Sequence, residues 1–204
     1  YPELDVKFIG LNGGMLGGER EGVTHQFYED LGILRSMPGI KILTPADAHQ
    51  AYKAAHEMFL QSGPVYLRLA SGREPEVFDS DVPYSFGKID KVLGEGRDVV
   101  VFASGYIMNR AIEAVKRLRS EGVDAVLYNV STLKPLDEET VAKALATAGA
   151  AVTVEDHNVY GALGSAVCEV ACSNYPAVVI RLGLQDVYAR SGHADALLDA
   201  YGLG

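Results

Sequence analysis

Short apolar runs alternate with helical patterns from one end of this 204-residue chain to the other. That alternation constrains the fold more than any other feature, because a strand–helix–strand order builds parallel sheets with helices laid across them. Val6–Leu11 reads as a strand and leads into a glycine-dense loop, Gly10–Gly22, with six glycines in thirteen positions. Thr24 is the expected N-cap of a helix whose apolar stripe is Phe27, Leu31 and Leu34, and Pro38 stops it. Ile40–Leu43 is the second expected strand. Thr44 as N-cap, Pro45 at the first helical position and Asp47 in the first turn then open a helix to about Gln61. After Ser62-Gly63-Pro64, Val65–Ala70 is the third strand.

Residues 72–97 break this rhythm with glycines, prolines and charges, and read as a linker carrying one short edge strand near Lys88–Leu93. The alternation resumes at 98 and runs to 204. Strands are expected at Val99–Ala103, Ala125–Tyr128, Ala151–Val154 and Ala177–Leu182, with helices at Tyr106–Ser120, Asp137–Thr147, Leu163–Cys172 and Ala194–Tyr201. The expected fold class is therefore α/β, two open and mostly parallel sheets with flanking helices. The second unit is complete, with four strands. The first, residues 1–71, has three strands, an open edge and an uncovered face, so it reads as the back half of a domain.

Composition narrows the function. Eighteen Lys and Arg against 27 Asp and Glu give a formal charge of −9, which argues against a nucleic-acid groove or a basic membrane face. No apolar run approaches a membrane span, no secretory signal opens the chain, and two cysteines make no disulfide framework. The expected location is the cytoplasm. Cys168 and Cys172, at i,i+4, read as buried small hydrophobes rather than metal ligands. His49 and His56 read as surface positions, and His193 as a capping-loop residue. Glu155-Asp156-His157 follows a strand, where open sheets place their ligands, and is equally well a loop contact or cap.

Glycine density in the 10–22 loop lets backbone pass close to a ligand, and His25 follows it. On the first turn of a capped helix, a neutral imidazole would meet a polar substrate. A mobile loop with an exposed histidine fits the same residues. Arg68 likewise has two readings, a planar fork for phosphate or a structural ion pair at a strand end.

Gly22-Val-Thr-His-Gln26, Glu29-Asp30, Arg35-Ser-Met-Pro38, Thr44-Pro-Ala-Asp-Ala48 and Gly63-Pro-Val-Tyr-Leu-Arg68 together resemble the pyrimidine-binding domain of transketolases. Val152-Thr-Val-Glu-Asp-His-Asn158, Gly161-Ala-Leu-Gly-Ser165 and Ser191-Gly-His-Ala-Asp-Ala-Leu-Leu-Asp-Ala-Tyr-Gly202 resemble transketolase C-terminal domains. The resemblance covers nearly the whole chain. It implies a thiamine-diphosphate enzyme that moves a two-carbon ketol unit from a ketose to an aldose, with phosphorylated sugars as expected substrates. The related 1-deoxyxylulose-5-phosphate synthases carry a similar Thr-His-Gln sequence, and a non-catalytic assembly module is the rival from another class.

The resemblance also implies what the chain lacks. In the family, the diphosphate and Mg2+ sit on a separate N-terminal domain or subunit, and the activating glutamate and ring-stacking aromatics precede the position where this sequence starts. An N-terminal partner and self-association as a dimer are therefore expected, with no metal site in this chain. His25 takes the place of the family's substrate-facing and cofactor-facing histidine, and Glu21 that of an aspartate which binds a sugar hydroxyl. The family's phosphate-binding histidine aligns with Gly13, with Asn12 beside it, and its phosphate-binding arginine aligns near Ser71. Arg68 or Arg73 is the expected substitute.

Overall fold

The computed structural model describes residues 2–17, 21–72 and 75–204. Strand β1 (Lys7–Gly10) runs into a single helical turn, α1 (Gly14–Gly17). Helix α2 (Asp30–Arg35), strand β2 (Lys41–Leu43), helix α3 (Ala48–Leu60) and strand β3 (Val65–Arg68) follow. The three strands are parallel, with β3 between β1 and β2. All four residues of β3 are buried, as expected of a central parallel strand covered on both faces.

Strand β4 (Asp90–Leu93) realises the edge strand expected near Lys88–Leu93. Strand β5 (Val99–Ser104), a 3-10 turn (Gly105–Ile107) and helix α4 (Met108–Ser120) come next, followed by strands β6 (Ala125–Asn129) and β7 (Thr132–Lys134). Helix α5 (Glu138–Ala148), strand β8 (Ala150–Asn158), helix α6 (Leu163–Ser173), strand β9 (Val178–Leu184) and helix α7 (Ala194–Ala200) complete the order. The second sheet has the order β4-β6-β5-β8-β9 and is parallel except for β4.

β7 corrects the expected three-stranded first sheet. It leaves the second unit and pairs antiparallel with β2, Ile42 opposite Lys134 and Leu43 opposite Thr132. One edge of the first sheet is thus closed by a strand that the second unit lends, which satisfies main-chain groups that an open edge would leave unpaired. β1 forms the other edge and exposes Phe8 and Ile9. Buried side chains cross between the units, and the largest cluster joins Leu31, Ile42 and Tyr66 to Phe102, Leu133 and Leu163.

Three local expectations shift. The helix expected after Thr24 starts at Asp30, because Gly14 N–H takes the Phe27 carbonyl at 2.7 Å and holds residues 26–28 against the glycine loop. The cap of α3 is Asp47, whose carboxylate accepts from Gln50 N–H, while the Thr44 hydroxyl turns to Ser104 and the Val130 carbonyl. Cys168 is half-buried and Cys172 exposed, since α6 presents the second of them past the edge of its packing face. No helix among the described residues is long and apolar enough to cross a membrane.

Candidate functional site

The carboxyl ends of β1, β2 and β3 open into a cavity of about 370 Å3. Its walls are Leu11 after β1, Pro45 to Ala48 and Ala51 at the start of α3, Leu69 to Gly72 after β3, and Tyr106 from the second unit. Open α/β sheets place ligands at this end, and the volume and mostly apolar walls suit a small molecule. Sequence reasoning did not single out Tyr106, because nothing local shows that the turn after β5 reaches across to the other sheet.

Among the sequence candidates, none of Asn12, Glu21, His25 and Arg68 lines this cavity, and Arg73 lies outside the described residues. Glu21 and His25 are exposed. His25 stands in a tight turn, its N–H donating to the Gly22 carbonyl at 2.9 Å, rather than on a helix. No helix N-terminus therefore stands behind its ring, since α2 begins five residues later. The Thr24 hydroxyl lies 2.9 Å from His25 Nδ1, and Nε2 has no hydrogen-bond partner among the described residues. Asn12 is half-buried with φ +56°, a left-handed residue that lets the chain turn out of β1.

Arg68 resolves as the structural ion pair. Its Nε donates to Asp30 Oδ2 at 2.9 Å, and Nη2 donates at 3.1 Å to the main-chain carbonyls of Phe27 and Asp156. At 6% exposure the guanidinium faces protein rather than a phosphate entering from solvent. The same packing explains Gly13. A Cβ there would lie 2.8 Å from Arg68 Cγ and Nε, so Arg68 occupies the space that a histidine at 13 would need.

Around this pair sits a buried network. Asp30 Oδ2 also accepts from the Tyr66 hydroxyl at 2.8 Å. Burial pushes the Asp30 carboxyl up, but the Arg68 charge and these hydrogen bonds outweigh it and hold it below the usual carboxylate range. Burial and the neighbouring Asp30 push the Tyr66 phenol well up. His157 Nδ1 lies 2.6 Å from the Asn158 carbonyl, which can only accept, so Nδ1 carries the proton. Nε2 then accepts from Gly32 N–H at 3.3 Å. Burial first, and the Arg68 charge second, push His157 down to about 4, so the ring is neutral at physiological pH.

The Glu155-Asp156-His157 run is thus a set of caps and contacts. Glu155 accepts from Leu163 and Gly164 N–H at 2.8 Å each, at the start of α6. Asp156 accepts from Met15 and Leu16 N–H, which ties the end of β8 to α1 in the other unit. Burial pushes Glu155 up to about 7 and Asp156 up to about 6. Gly14, with φ +85°, completes the fit, since a Cβ there would fall 2.1 Å from an Asp156 oxygen.

No three His, Cys, Asp or Glu side chains come together as metal ligands among the described residues.

The family described as "Transketolase, pyrimidine binding domain" matches residues 2–73, and that described as "Transketolase, C-terminal domain" matches residues 87–204. A Methanocaldococcus jannaschii relative, whose name places it as a transketolase C-terminal section, is 36% identical over 207 residues, covering 100% of this chain and 64% of its own. A 6-deoxy-6-sulfo-D-fructose transketolase subunit of a Clostridium species is 35% identical, covering 100% of this chain and 62% of its own. Among solved structures, the inactive beta4 tetramer of a split-gene transketolase superposes with a TM-score of 0.87 at 39% identity, over 100% of this chain and 63% of that one. The chain thus spans a little under two thirds of the length of each of these relatives.

Proposed function

The chain belongs to the transketolase family, as its C-terminal part, and from that premise we propose that it works within a split or longer thiamine-diphosphate-dependent transketolase. The reaction is transfer of a two-carbon ketol unit between sugars or sugar phosphates. The observation that carries this reading is the matching of both family domains, in order, over residues 2–73 and 87–204. An N-terminal partner, as subunit or domain, would hold the diphosphate and Mg2+. Thiamine diphosphate, when bound, would supply the nucleophilic carbon that takes up the two-carbon unit.

This chain's share is the substrate side. The exposed His25, with Thr24 against Nδ1 and Nε2 turned away from protein partners, offers a polar contact to substrate hydroxyls. Glu21, exposed a few residues earlier, offers a carboxylate to a sugar hydroxyl. Arg73 remains the candidate phosphate fork, because Arg68 is committed to Asp30. Alone, the chain would self-associate without turnover. The exposed Phe8 and Ile9 on β1, and Tyr52, Phe59 and Leu60 on α3, leave apolar surface that favours a partner.

The test is reconstitution. Isothermal titration of the isolated chain with thiamine diphosphate and Mg2+ is expected to give little or no binding. Addition of the N-terminal partner is expected to produce binding and ketol transfer. Tight one-to-one binding to the isolated chain, or no transfer by the assembled protein, would overturn the proposal.

A further inference from the structure

The turn that carries His25 is held by a segment of the other unit. After β9, the irregular stretch from Val187 to Gly192 passes along residues 22–28. Four contacts fix it there. The Gln26 amide Nε2 donates to the Arg190 carbonyl at 3.2 Å. Ala189 N–H donates to the Tyr28 hydroxyl at 3.0 Å, and the Tyr28 ring lies tilted at 6.4 Å from Tyr188. Gly22, with φ +79°, has no room for a side chain, since a Cβ would come within 2.3 Å of Ser191 Oγ. The strap is itself anchored, as Arg190 N–H donates to the Tyr201 hydroxyl beyond α7. Ala189 of the strap belongs to one buried cluster with Met15, Leu16, Tyr28, Leu184 and Leu197.

Gln26 is the informative residue. It is 7% exposed, and its Oε1 is buried with no hydrogen-bond partner. A buried amide that satisfies only one arm is a poor choice for stability, where an apolar residue of similar volume would serve as well. It makes sense as a placement device, directed at one carbonyl of the strap and set next to His25 in sequence. We infer that the Val187–Gly192 strap, through Gln26 and Tyr28, positions His25 for the reaction, so that the C-terminal unit contributes to turnover by fixing the His25 turn. Gln26 and Tyr28 are positioning residues in this scheme and touch no substrate. The inference rests on the reading that His25 faces the substrate.

The experiment is a double-mutant cycle in the enzyme assembled with its N-terminal partner. His25→Ala is expected to lower kcat roughly 100-fold, in the range of a lost polar or acid–base contact. Gln26→Met keeps the side-chain volume and removes both amide arms. It is expected to lower kcat by roughly 10-fold or more, as misplacement of a reacting group does, with Tm unchanged to within about 3 °C. In the His25→Ala background, Gln26→Met should lower kcat no further, because a residue acting through His25 has nothing left to position. Tyr28→Phe, which keeps the ring and removes the acceptor for Ala189, should repeat this pattern more weakly and stands in if Gln26→Met fails to fold. Additive losses in the double mutant, or a change in Tm with kcat intact, would overturn the inference. If His25→Ala is impaired and both positioning variants are silent, the inference fails while the substrate-side reading of His25 stands. If His25→Ala is itself silent, that reading fails and takes the inference with it.

Discussion

Replacing Arg68 by methionine removes a buried charge and should reveal what it supports. Asp30 is 1% exposed, and its Oδ2 accepts from Arg68 and Tyr66. Its Oδ1 has no hydrogen-bond partner, and the nearest polar ring atom is His157 Nε2 at 3.8 Å. Without Arg68 the carboxylate keeps a single hydrogen bond in a buried setting. Removing one partner of such a pair costs about 3–5 kcal/mol, since the other charge stays uncompensated. The carbonyls of Phe27 and Asp156 each lose a donor as well, at about 1 kcal/mol apiece. Against a typical domain stability of about 5–15 kcal/mol, Arg68→Met should shift the urea midpoint strongly.

The sign of the pH dependence separates this explanation from loss of packing. In the native protein Asp30 is held below its ordinary range, so it contributes stability above its unfolded pKa that is lost as pH falls through the folded value. In Arg68→Met burial acts on Asp30 without the compensating charge, and its pKa rises. The carboxyl then takes a proton in mild acid, and the difference from the native protein shrinks as pH falls from 8 to 5. Asp30→Asn should behave differently, because the buried Arg68 cannot shed its proton, so its cost persists at both pH values. The double variant, with neither charge, should be more stable than the sum of the single losses implies. Urea unfolding of all four proteins, followed by circular dichroism at pH 5 and pH 8, measures each of these. A loss under about 1 kcal/mol for Arg68→Met, well below the buried-pair range, or a loss independent of pH, would refute the reasoning.

Glu155, pushed up to about 7 by burial, contributes stability that is fully present below about pH 4.5 and lost as pH rises through 7. Native stability relative to Glu155→Gln should therefore fall by about 3 kcal/mol between pH 4 and pH 9, read from thermal melts of both proteins. Gly13→Ala should destabilise by about 1–3 kcal/mol through overpacking against Arg68, visible as a lowered Tm. Iodoacetamide should label the exposed Cys172 well before the half-buried Cys168, whose thiol burial pushes up, and mass spectrometry of timed samples gives the order.

What was legible in the sequence divides along a physical line. Parallel strands buried on both faces are short β-branched and leucine-rich runs, and the strands from Val65 and Val99 onward announce themselves in that way. Helix α5 was legible for the same local reason, with Asp137 capping it through a bond to Thr140 N–H. β7 was not legible. It is three residues long, ends just before Pro135, and takes its partner from β2, some ninety positions earlier in the chain. The start of α2 was misread because Thr24 looks like a cap, and only a carbonyl at Phe27, claimed by Gly14, shows otherwise.

The candidate site follows the same division. The glycine loop, His25 and the acidic run, which falls at the end of β8 rather than after a strand, all stood out by composition, yet composition cannot say which charges are buried. Burial sets the roles here. It turns Arg68 from a phosphate fork into the partner of Asp30, and it makes Glu155 and Asp156 helix-end acceptors rather than acids facing a ligand. A charged residue in an all-buried strand such as Val65–Arg68 nevertheless carries a demand that can be read in advance. An arginine there needs buried partners for its charge, and a carboxylate offsets its desolvation most directly. Asp30, at the head of helix α2 between β1 and β2, is a carboxylate within reach of β3. The pairing that holds Arg68 against Asp30 is the consequence of putting a permanent charge on a central strand.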